Sequence, residues 1–197
     1  MKKALILIFL SVPLLIMAQS WKSKPFSVQV FNNATMLPPA SMTATFNQPL
    51  HAGMAVGYEF GWKENDKQKW FQNAKLGYFY HQFAYQAIQL YTEGGYRRHI
   101  KDFSIEGGLL VGYMHQILLS RRAVLQSDGT YKAENGWGRP QFMAGADLGL
   151  GYNFGDSEKP IRLIINYQFW VQTPFAKGYV PVLPNGSLML GCQFALP

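Results

Sequence analysis

The sequence predicts an all-β fold, a closed antiparallel up-and-down transmembrane β-barrel of eight strands. Three observations predict it. Apolar residues alternate with polar or small ones along most of the chain, which is the period of a β-strand and not of a helix. One of the two faces so defined carries no charge. Short polar turns alternate with long connections, as they do in membrane barrels.

The chain begins with a stretch that is typical of an export signal. Two lysines open it, an apolar run spans residues 4–16, and Ala18 is the small residue expected before a cleavage site. We therefore expect a signal peptide at residues 1–18 and a barrel domain at residues 19–197. An uncleaved N-terminal anchor is the alternative, but the apolar run is short for a spanning helix.

Composition narrows the class of protein further. Charged residues make up 15% of the chain, whereas soluble domains average about 25%. The single Cys192 cannot form an internal disulfide, and we interpret it as a small apolar side chain. The net charge of +7 favours anionic lipids or lipopolysaccharide as partners. Nucleic acid is not expected, because an exported chain rarely meets it.

Seven segments show the strand period clearly. In one of them Leu148 shares a face with Ala146 and Leu150, while Asp147 and Gly149 lie on the other face. The seven segments are 54–62, 73–81, 88–97, 103–116, 142–154, 161–172 and 187–196. A closed barrel of eight strands requires one more.

The eighth strand must precede residue 50. We assign it to residues 26–33, and residues 42–48 are the rival segment. Pro38 and Pro39 lie between the two and argue against one continuous strand.

The connections differ in length in a regular way. Short polar turns are expected at 63–68, 98–101 and 155–159, and long loops at 120–138 and 173–185. Outer-membrane barrels have short periplasmic turns and longer extracellular loops, so both termini would be periplasmic. The short connection near Phe83 is an exception on the outer side. Residues 127–130 predict a small hairpin within the first long loop.

Charge separates the two faces of these strands. The apolar positions include no Lys, Arg, Asp or Glu, and a charge facing lipid at mid-depth costs about 2–4 kcal/mol. We assign the polar side chains of the opposite face to the lumen: Glu59, Lys75, His81, Glu93, Arg97, Glu106, Asp147 and Arg162. Eight strands leave a lumen just wide enough for side chains to fill. We therefore expect paired charges to plug it and not an open pore.

Aromatic residues are expected in two belts at the ends of the barrel, where their rings meet the membrane interfaces. The periplasmic belt would contain Trp62, Trp70, Tyr96, Phe103, Tyr152 and Phe194. The outer belt would contain Tyr80, Tyr113, Phe142 and Phe169.

The closing stretch NGSLMLGCQFALP, residues 185–197, has the alternating apolar pattern and aromatic residue that the barrel-assembly machinery reads. With this stretch the chain resembles the OmpA/OmpX-like class of small outer-membrane barrels of Gram-negative bacteria. It departs from the usual pattern because three residues follow Phe194. The stretches GYFYHQF (77–83) and GYVPVLPN (178–185) also resemble segments of such barrels. The resemblance implies the architecture and brings no activity with it.

Patterns for catalysis and metal binding were sought around the histidines. Lipid A deacylases, which are small barrels, use a neighbouring His and Ser with a supporting carboxylate. None of His51, His81, His99 and His115 has a serine two residues away, and His115 and Glu106 point to opposite faces. His81 is the best single candidate, and we interpret it as a buried hydrogen-bonding group. No paired His or Cys motif indicates a metal, and no cofactor is expected.

These observations favour a non-enzymatic protein of the outer membrane with a structural, accessory or binding role. Its extracellular loops would present the binding residues Arg121, Arg122, Lys132, Phe175 and Tyr179 to lipopolysaccharide phosphates or a protein partner. A lipid-modifying hydrolase of the outer leaflet is one alternative. A narrow solute channel is the other.

Overall fold

In the computed structural model of the protein, the described residues are 25–47, 49–65, 67–82, 84–119, 122–125, 127, 129–134, 137–154, 161–175 and 180–195. The expected signal peptide lies outside these ranges. The strands and the helix are β1 (Pro25–Ala34), α1 (Ala40–Asn47), β2 (Ala52–Asn65), β3 (Gln68–His81), β4 (Tyr85–Ile100), β5 (Phe103–Leu118), β6 (Arg122–Leu125), β7 (Tyr131–Glu134), β8 (Arg139–Phe154), β9 (Ile161–Thr173) and β10 (Leu183–Ala195).

Eight of the strands close into one antiparallel barrel. Their order around the wall is β1, β10, β9, β8, β5, β4, β3 and β2. Phe26 of β1 pairs with Tyr58 of β2 on one side and with Phe194 of β10 on the other, so these strands leave no open edge. The predicted fold class is confirmed.

The remaining two strands form a hairpin in the connection from β5 to β8. In this hairpin β6 and β7 pair antiparallel, with Leu125 opposite Tyr131, and Gly129 has a φ of 82° in the turn. The hairpin predicted at residues 127–130 is therefore confirmed. Gly supplies the positive φ at no steric cost.

The two ends of the barrel differ. At one end, here called the turn end, the strands are joined by the short connections 66–67 and 101–102, and β1 begins and β10 ends there. At the opposite loop end lie α1, the β6–β7 hairpin and the connection from β9 to β10. The strands extend further into the turns than the sequence indicated, because most of 63–68 belongs to β2 and β3. The turn predicted at 155–159 lies outside the described residues.

The assignment of the first strand is settled by the pairing of β1. Residues 26–33 lie within β1, as predicted. The rival strand at 42–48 is wrong, because residues 40–47 form α1. The barrel is already closed by β1, and α1 packs against the outside of its wall instead of extending the sheet. No helix of the described residues is long and apolar enough to span a membrane.

At mid-height every barrel strand turns an apolar side chain outward, whereas charge on this face appears near the strand ends, as at the exposed Arg98 of β4. Each strand contributes a side chain that is 42–72% exposed, and we call these eight residues the apolar belt: Val30, Met54, Leu76, Leu90, Leu109, Leu148, Ile165 and Leu190. Aromatic rings pair below the belt at the turn end. The ring centroids of Phe103 and Tyr152 are 4.9 Å apart, and those of Trp70 and Tyr96 are 5.1 Å apart.

Candidate functional site in the lumen and at the loop end

The charged residues that the sequence assigned to the lumen all point inward. Seven of them are at most 5% exposed: Glu59, Lys75, Glu93, Arg97, Glu106, Asp147 and Arg162. They lie in the half of the lumen nearer the turn end, on β2, β3, β4, β5, β8 and β9. Strand alternation places them there, since each shares its parity with other inward residues of its strand.

Arg97 is the centre of this ionic layer. Its Nη1 donates to Glu59 Oε1 at 3.0 Å and its Nη2 to Glu59 Oε2 at 2.6 Å, which is the parallel two-bond geometry of a guanidinium and a carboxylate. Its Nε donates to Glu106 Oε2 at 2.7 Å. The guanidinium also lies 4.6 Å from the centre of the Phe71 ring. One cation therefore joins acids from two strands.

Arg162 closes the layer into a ring. Its Nη2 donates to Glu106 Oε2 at 2.8 Å, and its Nη1 to Gln193 Oε1 at 3.3 Å. Gln193 Nε2 then donates to Glu59 Oε2 at 2.9 Å. We call this closed circuit the lumen ring; it consists of Glu59, Arg97, Glu106, Arg162 and Gln193. Its members come from five of the barrel strands, so the ring connects strands on opposite sides of the lumen.

Two lysines extend the ionic layer along β3. Lys75 Nζ lies 2.7 Å from Glu93 Oε2, and both side chains are almost fully buried. Lys69 Nζ lies 3.2 Å from Glu59 Oε1 and 3.0 Å from Glu64 Oε2. Lys69 was not among the residues predicted for the lumen, although it has the parity of Lys75 on the same strand. Continuing the alternation by three further pairs of residues toward the turn would have found it.

Asp147 differs from the other buried acids. Its Oδ2 accepts a hydrogen bond from Asn166 Nδ2 at 3.3 Å. Its Oδ1 is buried without a hydrogen-bond partner. The ion pairs found among the described residues do not include Asp147. This carboxyl group is therefore held in the lumen by an amide and by no cation within 4 Å in the described part of the chain.

The half of the lumen nearer the loop end is packed with aromatic and methionine side chains, and buried amides such as Gln116, Gln141 and Gln172 lie among them. Its largest members are Phe31, Phe79, Tyr85, Met114, Met143, Trp170 and Met189, each at most 7% exposed. We call this the apolar layer. The Trp170 and Phe79 rings meet edge to face with centroids 6.1 Å apart. The sequence analysis expected charges and hydrogen bonds to plug the lumen, and this second layer is an addition to that picture.

His81 lies where the apolar layer opens at the loop end. Its ring stacks on that of His51 with centroids 3.8 Å apart and planes 18° apart, and its other neighbour is Tyr85 at 5.3 Å. His51 Nδ1 lies 3.1 Å from the Asn33 carbonyl oxygen. His51 Nε2 and His81 Nδ1 are buried without hydrogen-bond partners. At Nδ1 of His81 the contact found is ring stacking, and a hydrogen-bonding role of this side chain stays a prediction.

The loop residues proposed from the sequence are placed unequally. Phe175 is half-buried, and its ring lies 6.5 Å from that of Tyr85, so it covers the mouth of the lumen more than it faces outward. Arg139 Nη1 donates to the Phe175 carbonyl oxygen at 3.2 Å. Arg122 and Lys132 belong to β6 and β7, and their side chains are outside the described part. Arg121 and Tyr179 lie outside the described residues.

Two exposed aromatic residues at the loop end escaped the sequence analysis. Trp137 is 95% exposed and Tyr131 is 73% exposed. The backbone of Trp137 is held in place, because its carbonyl oxygen is 2.7 Å from Nε2 of His115, whose Nδ1 is 2.8 Å from the Tyr113 hydroxyl. An isolated tryptophan in a long loop gives no periodic signal, which is why the sequence did not single it out.

The histidine contacts bear on catalysis. In the described part of the chain, the ring nitrogens of His51 and His115 form hydrogen bonds with Asn33, Tyr113 and Trp137. None of these partners is a serine. In the described ranges no group of three or more His, Cys, Asp or Glu side chains is placed to hold a metal ion. The arrangement offers an interior of tightly buried side chains and an exposed rim at the loop end.

Comparison with known proteins supports the architecture. No family model and no curated protein matches the sequence. Neisserial surface protein A (NspA) is 10% identical, with a TM-score of 0.54 over 88% of this chain and 96% of that one. The outer membrane enzyme PagL scores 0.47 at 10% identity, over 85% and 97%. Ail, the attachment invasion locus protein of Yersinia pestis, scores 0.40 at 12% identity, over 89% and 99%. At such identities the likeness to NspA shows the fold alone, that of a small eight-stranded barrel.

Proposed function

We propose that this protein is an integral barrel of the bacterial outer membrane, with a sealed lumen and a binding or accessory role exercised at the loop end. The observation that carries the proposal is the apolar belt. Every barrel strand contributes to it, and none of its members is charged. Monomeric soluble proteins rarely expose an apolar band that runs around the whole molecule. Closure of the sheet also satisfies the strand edges, as a hydrocarbon environment requires.

The two layers of the lumen support a sealed barrel and not a channel. A solute would have to pass the lumen ring, where Arg97 and Glu59 are joined by two short hydrogen bonds. It would then have to pass Trp170 and Phe79 in the apolar layer. Because the layers lie in series, opening one of them leaves the other closed.

The loop end is the surface proposed for binding. Arg121, Arg122 and Lys132 supply positive charge suited to lipopolysaccharide phosphates, and Tyr179 and Phe175 lie in the second long loop. Trp137 and Tyr131, in the same loop of the sequence as the basic residues, add exposed aromatic surface. Aromatic and arginine side chains are the usual anchors of protein interfaces, so a protein partner is the other candidate. The barrel-assembly machinery would engage the closing strand during biogenesis.

A non-enzymatic role is part of the same proposal. The contacts of the described histidine rings supply no paired base and nucleophile, which is the arrangement that a hydrolase of the outer leaflet requires. A reaction of the lipid is therefore the less favoured role for His81.

Membrane insertion is tested first. The processed chain is expected to partition with outer membranes, to require detergent for extraction and to migrate differently on a gel before and after heating. A processed chain that stays monomeric and soluble without detergent would refute the proposal.

Binding at the loop end is tested separately. Vesicles containing lipopolysaccharide are expected to bind the purified protein's loops in a manner that weakens with salt, as measured by protection of the loops from protease. A variant with Arg121, Arg122 and Lys132 changed to Gln should lose this protection. Lys101→Gln, in the exposed turn at the opposite end, is the matched control and should retain it. Equal behaviour of the two variants would exclude this surface.

A further inference from the structure

Helix α1 lies on the outside of the barrel, which is an unusual place for the connection between two neighbouring strands. Asn32 faces outward on β1, and its Nδ2 donates to the Thr45 carbonyl oxygen of α1 at 2.7 Å. The Ser41 hydroxyl at the start of α1 is hydrogen-bonded to the Tyr167 hydroxyl on the outward face of β9. The helix therefore lies over β1 and β10 on the outer wall, and its start reaches β9 through the Tyr167 side chain.

The wall beneath α1 is shaped to receive it. Gly186 of β10 faces outward under the helix, and a Cβ built on it would lie 2.6 Å from the Ser41 side chain and 2.7 Å from the Tyr167 hydroxyl. Ala34 and Ser41 are fully buried in this contact, and Ala44 is 6% exposed. Small residues on both sides thus let the helix approach the sheet closely.

Helix α1 lies beside the apolar belt, on its loop-end side, because Asn32 and Gly186 beneath the helix are two and four positions along β1 and β10 from the belt residues Val30 and Leu190. Tyr167, which holds the start of the helix, is the central residue of β9 (Ile161–Thr173). Its neighbour across the β8 pairing is Leu148, a member of the belt that is 71% exposed. The start of the helix is therefore connected to the level of the belt through the Tyr167 side chain.

The free face of α1 is uncharged, and its exposed residues are Met42 and Phe46 together with Ala40, Thr43 and Asn47. Met42 is 49% exposed and Phe46 is 73% exposed, and the flanking residues Leu37 and Leu50 are 64% and 66% exposed. The helix sequence ASMTATFN contains no charged residue in its first or last turn. An amphipathic helix that faces water usually places charged or polar residues on its outer side, whereas the two largest exposed side chains of α1, Met42 and Phe46, are apolar.

The hydroxyl groups of α1 are bonded within the protein. Thr43 is exposed, yet its hydroxyl donates to the Ala40 carbonyl oxygen at 2.9 Å. The Thr45 hydroxyl donates to the Met42 carbonyl oxygen at 2.7 Å, and the Ser41 hydroxyl bonds Tyr167. Such back-bonding within a helix satisfies hydroxyls where water is absent.

From these contacts we infer that α1 is a membrane-embedded clasp: it lies in the acyl-chain region of the outer leaflet, with Met42 and Phe46 in contact with lipid, and covers the junction of β1 and β10. The inference rests on the proposed outer-membrane location. The molecules that contact the free face of α1 are lipids, because the apolar belt, which is continuous with α1, faces the same medium.

Spin-label accessibility tests the inference in the full processed chain. In a Cys192→Ala background, single variants Met42→Cys, Phe46→Cys, Leu90→Cys and Trp137→Cys are labelled and refolded into phosphatidylcholine vesicles. Leu90 of the belt is the lipid control, and Trp137 is the water control. Labels at Met42 and Phe46 are expected to collide with oxygen more than with a water-soluble nickel chelate, as the Leu90 label does.

Three contrary results are possible, and each of them refutes a stated claim. Labels at 42 and 46 that favour the nickel chelate, as at Trp137, would place α1 in water and overturn the inference. Labels shielded from both reagents would show a protein or a second copy over the helix, which also overturns it. If the Leu90 label itself favours the nickel chelate, the proposed membrane location fails.

A charge substitution supplies an independent readout. Phe46→Asp is expected to lower the midpoint of thermal unfolding in vesicles by several degrees, whereas Phe46→Leu leaves it unchanged. Trp137→Asp, which adds the same charge at a water-exposed site, should not lower it. Equal midpoints for Phe46→Asp and Trp137→Asp would contradict an embedded helix.

Discussion

The guanidinium of Arg97 and the carboxylate of Glu59 meet inside the barrel in two parallel hydrogen bonds of 3.0 and 2.6 Å, and both residues are less than 5% exposed. A buried ion pair of this kind is weak evidence of net stabilisation, because desolvation offsets the attraction. The two residues nevertheless depend on each other, because loss of one partner leaves the charge of the other uncompensated.

Arg97→Gln should therefore destabilise the barrel. We expect the free energy of unfolding from lipid vesicles to fall by about 3–5 kcal/mol, the usual cost of breaking a buried pair from one side. Lys69 and Arg162 still contact the two acids, which favours the lower part of that range. Urea titration followed by gel mobility measures the change.

A double variant separates pairing from other effects of Arg97. The loss for Glu59→Gln with Arg97→Gln should be smaller than the sum of the two single losses, by about 0.5–3 kcal/mol. Strict additivity would mean that the two groups do not interact across the lumen.

Replacing a carboxylate by an amide is expected to have different effects on the free energy of unfolding at Glu93 and at Asp147. Glu93→Gln leaves the ammonium of Lys75, at 2.7 Å from Glu93, without its partner, and should cost about 3 kcal/mol of unfolding free energy. Asp147→Asn removes a buried acid that has no cation within 4 Å among the described residues, and should leave stability unchanged or raise it. Equal destabilisation by both variants would show that Asp147 has a favourable partner in the folded barrel.

The architecture was readable from the sequence because one property repeats along the whole chain. Alternation assigned residues such as Leu148 and Asp147 to opposite faces, and the absence of charge on one face identified it as the outer one. The same rule would have located Lys69, Phe79 and Trp170 in the lumen, since they share the parity of Lys75 or Arg162. The apolar layer was not predicted because the lumen residues were assigned from the charged side chains of the inward face.

Helix α1 could not be predicted in the same way. Its eight residues alternate Met42, Ala44 and Phe46 with threonines, which is the pattern of a strand as well. What makes it helical is tertiary: β1 already closes the barrel, and Gly186 and Ala34 provide a surface on which a helix can lie. The β-bulge at Trp62, where pairing passes from Gly61 to Lys63, is likewise invisible to alternation.

The layered lumen predicts that the protein does not conduct. In planar bilayers the refolded chain should give no stepwise current, and Trp170→Ala should also remain sealed, because the lumen ring lies in series with the apolar layer. Steps of defined conductance from the unaltered chain would favour the solute channel over the proposed role.

His81→Ala tests the hydrolase alternative. The lipid A composition of outer membranes from cells that express the protein is expected to be the same with His81 or Ala. His51→Ala removes the same stacked pair from the other side and is likewise expected to leave the lipid A composition unchanged. A deacylated lipid A species that appears with the unaltered chain and disappears with His81→Ala would establish an enzyme.

Gly186 and Gly94 form a matched pair for the seat of α1. Both face outward, but a Cβ at Gly186 would lie 2.6 Å from the Ser41 side chain, whereas a Cβ at Gly94 has nothing within 4 Å. Gly186→Val should displace the helix and lower the free energy of unfolding by about 1–3 kcal/mol, the cost of overpacking a close contact. Gly94→Val adds a β-branched apolar residue to the outer face and should be neutral or stabilising. Protease cleavage between β1 and β2 should increase for Gly186→Val alone, because the clasp then leaves the wall; equal cleavage of the two variants would mean that Gly186 does not seat the helix.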